Sequence, residues 1–433
     1  MNALPRFTYT AFFFTLMIIS SCKPTRKEIL YNQNLIDSVT QFETGGVNPI
    51  EKTACVIANT GAGSFSFYIT PAEVDMLNSN SIAASLVNSS MTDEQKCLAL
   101  WKFVCKWRYH SPNAPTYSAW PHTPAALFNS LQCGICDDAA ASLGNLGAQA
   151  GLNTRVVALK EHVVTEFYYN KAWHMFDADR EIYYRDNKGA IAGVEQLKAN
   201  TAIFDLPQVN SFHSALVYNT INNRNKKAIL QSGKLHNAHY LRDKHPTYSS
   251  ALTLNKGESI RFSVEPVSPI MKKLFVDVLE NGGPYYRTAG TLTRHFETNL
   301  SPGGITYSES MPYAINRVMV GCERVKSSPP TKVFYSPDSV HWYFKGIVSE
   351  NSRVTFDPRI MRDHEIVLNY YLKFVPERNS DMEGKTDMNL EIKNDFVFSD
   401  KLFFNNNLHS FKVKSLTGNY RAIKIELDCE RKQ

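Results

Sequence analysis

The chain has 433 residues, a length that suggests two or three domains with substantial cores. Its formal charge of +6 arises from 47 basic and 41 acidic residues interspersed along the sequence, so no basic tract points to nucleic acid. No cofactor and no metal are expected.

Residues Met1 to Cys22 carry Arg6, an apolar run from Ala11 to Ile19, and then small residues. That run is too short to span a bilayer and reads as a secretory signal. The sequence Ile19-Ser20-Ser21-Cys22 resembles a bacterial lipoprotein box. The resemblance implies lipidation of Cys22 and an acyl anchor in the cell envelope, with the periplasmic or surface face left open. Residues 23–90 are expected to be an N-terminal tether and helical lead-in. Of eight cysteines, those other than Cys22 are odd in number, which suits one free reactive thiol.

The run TDEQKCLALWKFVCKWRYH predicts a helix. Thr92 and Gln95 have capping-box spacing, and Cys97, Leu100, Trp101, Val104 and Trp107 form one apolar face. A second helix is predicted from Cys136, with an apolar stripe at Ala139, Leu143, Leu146 and Ala150 and a stop at Gly151. Small residues at Ala140, Gly144 and Gly147 let it lie close on a sheet. Cys136 then sits at a helix N-terminus, where unpaired N–H groups and the positive dipole end favour a thiolate. Strands follow at 155–159, 162–169 and 173–177, with Asn170-Lys171 as a short hairpin turn. His162 opens one hairpin strand and Asp177 closes its partner, so antiparallel pairing brings imidazole and carboxylate to the same end of the sheet. A thiol, an imidazole and a carboxylate in this order are the parts of a nucleophilic cysteine site.

These residues resemble the transglutaminase-like superfamily of papain-like cysteine enzymes. The match comprises Gly134-x-Cys136, then Asp138, Ala140, Gly151 and Arg155, followed by His162-x-x-x-Glu166 and Trp173-x-x-x-Asp177. It covers roughly residues 91–184. The resemblance implies Cys136 as nucleophile, His162 as general base and then acid, and Asp177 as the group that orients His162. For the oxyanion, the Cys136 N–H is the default donor, with Gln132 and Trp120 as side-chain candidates. Glu166, Asp137 and Asp138 read as structural or rim groups, His174 as a satisfied structural histidine, and Trp173 as core. Cys133-Gly134-Ile135-Cys136 is also a C-x-x-C. It lacks the βαβ surroundings of a redox motif and the second ligand pair of a zinc site, but its spacing permits a disulfide that would silence the nucleophile.

Residues 185–245 are polar and mixed and read as a loop-rich connector or lid. From about Tyr248 the pattern becomes β, with short strands expected at 259–264, 273–278, 291–297, 332–335, 342–348, 366–374, 388–392, 411–413 and 420–427. The expected class is α+β: a catalytic domain with its connector at 91–245, a β-rich module at 246–320 and a β-sandwich module at 321–433. Cys322 and Cys429 are a conceivable disulfide. The stretch FYSPDSVHWYF weakly resembles an element of carbohydrate-associated β-sandwiches, with Tyr335, Trp342 and Tyr343 as sugar-stacking candidates, although core packing explains such aromatics as well.

Two functions are compatible with these features. One is a lipid-anchored cysteine enzyme acting on a carboxamide of a peptide, glycopeptide or cell-wall component by hydrolysis or acyl transfer. The other is a non-catalytic envelope protein binding glycans or peptides through its β-modules.

Overall fold

The computed structural model describes residues 40–430, apart from 44–51, 62, 72, 111–121, 209–214, 235, 238–247, 267–285, 324–329, 351, 363–366, 378–385, 400, 405–407 and 417–422. Cys22, the lipoprotein box, Trp120 and the strand expected at 273–278 fall outside the described residues. Among those described, no helix is long and apolar enough to cross a membrane.

The first described elements are strands: β1 (Thr40–Glu43), β2 (Lys52–Asn59) and β3 (Phe65–Pro71). The expected tether is thus corrected over much of its length. Ala54, Ile57, Phe67 and Ile69 are buried, and an apolar content of that kind needs strand partners, which lie far along the chain. Helices α1 (Ser79–Leu86) and α2 (Asp93–Trp107) follow. The α2 capping box is complete, with Thr92 Oγ1 accepting from the Gln95 N–H at 3.3 Å and Gln95 Oε1 accepting from the Thr92 N–H at 2.8 Å. All five residues of the expected apolar face are buried.

Next come β4 (Tyr109–His110), the short α3 (Pro124–Ala126), a π-helical turn at Leu127–Leu131, β5 (Cys133–Gly134) and α4 (Cys136–Gln149). Strands β6 (Asn153–Leu159), β7 (His162–Tyr169) and β8 (Ala172–Phe176) form an antiparallel meander. Asn170 and Lys171 both have positive φ, the geometry of a two-residue hairpin turn whose twist matches its strands. Thr165 and Phe167 of β7 face α4. The Thr165 hydroxyl donates to the Ala140 carbonyl at 2.8 Å, and a Cβ on Gly147 would come within 2.3 Å of the Phe167 ring.

The opposite face of this sheet is covered by α5 (Val194–Ala199), a 3-10 turn at Thr201–Asp205 and α6 (Ala215–Leu230); β9 (His236–Asn237) then adds to the edge of β6. Val157, Val164, Met175, Leu197, Ile203, Ile221 and Ile229 share a compact second core there. Among its described residues, the stretch expected to be a loop-rich connector thus carries α5, the 3-10 turn and α6. Ile221, Asn225, Ala228 and Ile229 recur at helical spacing and are all buried, so one face of a mostly polar segment suffices to dock it.

The C-terminal part contains β10 (Leu252–Leu254), β11 (Ser259–Pro266), β12 (Tyr286–Leu300), β13 (Ile305–Ser310), β14 (Ala314–Glu323), β15 (Thr331–Ser336), β16 (Tyr343–Val348), β17 (Arg353–Phe356), β18 (Asn369–Pro376), β19 (Thr386–Val397), β20 (Leu408–Leu416) and β21 (Ile423–Glu430). Three sheets result, in the orders β17-β14-β19-β12-β11-β2-β21, β13-β18-β15-β16 and β1-β20-β3-β10. The class is α+β with a β-sandwich-like C-terminal region. Phe296 of β12 stacks on Tyr307 of β13 and meets Phe374 of β18, fastening two of the sheets face to face.

The expected boundary at 320/321 falls inside β14, and strands from both expected modules alternate in the seven-stranded sheet. They are one interleaved β-region, because β12 and β19 pair continuously from Gly290↔Phe396 to Leu300↔Thr386. The Cys322–Cys429 disulfide is also corrected. Cys322 is a free thiol on β14, and five strand spacings separate β14 from β21, about 24 Å in all against a bridging limit of ~7 Å.

Candidate active site

Cys136 is the first residue of α4 and is partly exposed. The chain reaches it through Gly134, where a Cβ would lie 2.8 Å from the Asp138 Cβ; glycine lets the strand pass close over the first helical turn. Asp138 secures that turn by accepting from the Ile135 N–H at 3.1 Å. Burial, reinforced by the neighbouring Asp137 charge, pushes the Asp138 carboxyl well above the usual carboxylate range.

His162 opens β7, and Asp177 follows directly on β8. The pairing of Thr165 with Phe176 sets these two positions at the same end of the hairpin. His162 Nε2 lies 2.7 Å from Asp177 Oδ2, and the Cys136 side chain is close enough to the imidazole to favour its charged form. Since Nε2 is engaged by the carboxylate, Nδ1 is the nitrogen left for the thiol. Burial disfavours a charged imidazole, but the Asp177 charge and hydrogen bond, together with the nearby Cys136 side chain, outweigh it and raise His162 to about 9. Asp177 is fully buried. Burial pushes its carboxyl upward, but the His162 charge and hydrogen bond win, and Asp177 lies below the ordinary carboxylate range.

Asp177 is held by more than His162. Its Oδ1 accepts from the N–H groups of Asp179 (3.1 Å) and Arg180 (2.9 Å), and the Trp101 indole donates to its main-chain carbonyl at 2.9 Å. Asn225 of α6 donates Nδ2 to Asp177 Oδ2 at 3.1 Å, while its own Oδ1 accepts from Arg180 at 2.5 Å. Asn225 lies in the segment read as a connector, and Asn225, Arg180 and Asp179 carry no periodic sequence signal that would have singled them out.

The other residues of the matched pattern have local explanations. Glu166 is buried, pairs with Arg155 at 2.6 Å and accepts from the Val194 N–H at 2.8 Å, tying the sheet to the start of α5. The Arg155 guanidinium lies 4.1 Å from the Trp173 ring centroid. Gly151, with φ +77, ends α4. His174 is buried, stacks on Tyr169 and directs its ring nitrogens at the carbonyls of Ile191 and Tyr169. Gln132 is buried in left-handed conformation just before β5; its N–H donates to Leu127 at 2.7 Å and its carbonyl accepts from Tyr109 at 2.7 Å. Cys133, buried in β5, and Cys136 are both free thiols.

A second histidine–carboxylate pair adjoins this centre. Asp179 Oδ1 lies 2.8 Å from Arg108 Nη2 and 2.7 Å from His110 Nδ1. Arg108, almost wholly buried, also donates to the carbonyls of Gly134 and Ala178 at 3.2 and 3.1 Å. Burial opposes ionisation of Asp179, but Arg108 and His110 overcome it and hold the carboxyl well below its usual range.

The sugar-stacking candidates separate from one another. Tyr335 is fully buried, packs on Phe356 and Tyr370 and donates to the Pro358 carbonyl at 3.2 Å, so it belongs to the sandwich core. Trp342 is partly exposed and Tyr343 exposed, on or beside the edge strand β16.

No family model matches this chain, and no curated protein matches it. Solved structures with some likeness include infectious bursal disease virus of the Gx strain, with TM-score 0.17 and 9% identity over 41% of this chain and 53% of that chain. The same virus of the Gt strain gives TM-score 0.16 and 10% identity over 41% and 52%. The chain spans about half the length of each, and a likeness this slight bears on neither fold nor role.

Proposed function

We propose that this protein is an exported, lipid-anchored, transglutaminase-like cysteine enzyme that hydrolyses a carboxamide through an acyl-enzyme on Cys136. The observation that carries the reading is the grouping of Cys136, His162 and Asp177, with His162 Nε2 2.7 Å from Asp177 Oδ2, the Cys136 side chain beside the imidazole, and the thiol at the N-terminus of α4. His162 takes the thiol proton, and the sulfur attacks the carbonyl carbon. The Cys136 N–H is positioned to stabilise the oxyanion, with Gln132 as a side-chain candidate. His162 then gives its proton to the departing amine as the C–N bond breaks, leaving a thioester. Water attacks the thioester, its proton passes to His162, and the acid is released as the thiol re-forms. Peptides, glycopeptides and cell-wall amides are the candidate substrates. Water is the default acceptor outside the cell, and the lipoprotein box supports a location there.

The test is the rate and pH dependence of Cys136 alkylation by iodoacetamide in the wild type and in His162→Ala. Rapid labelling that falls at least tenfold in the variant supports an activated nucleophile. Equal rates in the two proteins overturn it and leave the non-catalytic binding protein as the better reading.

A further inference from the structure

We infer that His110 is a substrate-binding residue beside Cys136, its Nε2 accepting a hydrogen bond from an N–H of the acyl-donor substrate, as a peptide backbone offers. The inference rests on the cysteine-enzyme reading of Cys136 and identifies the chemistry of the substrate beside it.

Position comes first. His110 is paired in register with Gly134 across the parallel β4–β5 bridge, two residues ahead of the nucleophile. Paired strands lie about 4.8 Å apart, so His110 sits one strand over from the segment that leads into Cys136. Its anchor, Asp179, belongs to the same tight turn as Asp177, and the Asp179 N–H donates to the Asp177 carboxylate at 3.1 Å. One turn therefore holds two imidazoles by two carboxylates, His162 on Asp177 and His110 on Asp179.

Exposure distinguishes the two pairs. The Arg108 and Asp179 side chains are 1% and 4% exposed and the His162 side chain 1%, whereas the His110 side chain is 14% exposed. The buried Arg108–Asp179 pair is thus a fixed base from which only the imidazole reaches the surface.

The tautomer follows from hydrogen-bond polarity. An ionised Asp179 can only accept, so the 2.7 Å contact requires a proton on His110 Nδ1. In the neutral ring Nε2 then carries a lone pair, and among the described residues no protein group is bonded to it. A lone pair held outward by a buried ion pair beside a nucleophile is equipped to recognise an N–H donor. A purely structural histidine would have both nitrogens occupied, as His174 does.

The probes are acetyl-glycyl chloromethyl ketone, which offers an N–H, and its N-methylglycyl analogue, which does not. Their Cys136 labelling rates are each normalised to iodoacetamide labelling of the same protein. Wild type should prefer the N–H probe, and His110→Leu should lose roughly 2- to 10-fold of that preference, the range expected for one hydrogen bond. His110→Gln, which keeps an acceptor near the Nε2 position, should restore it. The same preference in wild type and His110→Leu overturns the assignment, and so does a failure of His110→Gln to restore it. Failure of the cysteine-enzyme reading would be seen separately, as iodoacetamide labelling indifferent to His162→Ala.

Discussion

At the residue scale, the hydrogen-bond series has a polarity that fixes each member. Asn225 cannot be turned over, because its amide must offer NH2 to Asp177 and oxygen to Arg180; the reverse would set carboxylate against oxygen and guanidinium against NH2. Asn225→Leu removes a charge-assisted bond to the carboxylate that holds His162. A bond of that kind contributes about 1.5–3 kcal/mol, so the rate of amide cleavage should fall about 10- to 100-fold while far-UV circular dichroism is kept. A second expectation concerns pH. His162 is raised to about 9, so the imidazolium to which the proposed mechanism assigns protonation of the leaving amine is present below that pH and lost as pH rises through it. Amide turnover should therefore show an alkaline limb near pH 9. Alkylation of Cys136 needs no proton donor for a leaving amine and should lack that limb. Cys136, His162 and Asp177 were legible in sequence because helix start and hairpin register are local properties. Asn225, Arg108 and His110 were not, since their partners lie 48, 71 and 69 residues away and one polar residue looks like another until a buried acceptor is known.

At the element scale, the site depends on surfaces that meet without room for an extra methyl group. A Cβ on Gly193 would lie 2.3 Å from the Trp173 carbonyl oxygen and 3.0 Å from Glu166 Oε1. The first neighbour is backbone and cannot swing aside. Gly193→Ala should cost about 1–3 kcal/mol, seen as a lowered midpoint in thermal or urea unfolding. It should also loosen the Glu166 bond to the start of α5. Helix α2, helix α4 and the β6–β8 meander were readable from capping, apolar spacing and a turn dipeptide, all of which act within a few residues. Helix α6 was hidden because its buried stripe is narrow and includes Asn225, so its overall composition is that of a polar loop. Strands β1 to β3 were missed for another reason: their partners β20, β21, β10 and β11 lie about 180 or more residues downstream.

On the scale of the whole molecule, the helical site region and the β-region share one core. Apolar residues from α2 and α4 belong to the same cluster as those of β11, β12, β14 and β19. The π-helical turn ahead of Cys136 is pinned to the sandwich: the Ser130 hydroxyl donates to the Val397 carbonyl at 2.9 Å and accepts from the Ala314 N–H at 2.8 Å, and the Ser399 N–H donates to the Asn129 carbonyl at 2.9 Å. Between the sheets, Arg294 is buried against Glu309 at 3.0 Å and Glu258 at 2.6 Å, a charged knot that leaves a buried carboxylate exposed to cost if any member is removed. Unfolding should therefore be a single transition, with exposure of the Cys136 thiol coinciding with loss of β-sheet signal. A shortened chain ending at residue 245 should lack a cooperative transition. Successive domains were expected because of the chain's length and because the pattern turns β from about Tyr248 onward; which strands pair at long range is decided by the assembled sheet and is written in no local pattern.

The place of β2 in the seven-stranded sheet sets a schedule for the nascent protein. β2 is held between β11 and β21, so its two neighbours are made about 200 and about 370 residues after it. Until then the sheet keeps an open edge, and the platform to which the turn before Cys136 is pinned is unfinished. The turn before Cys136 thereby gains its finished support only once β21 has been made.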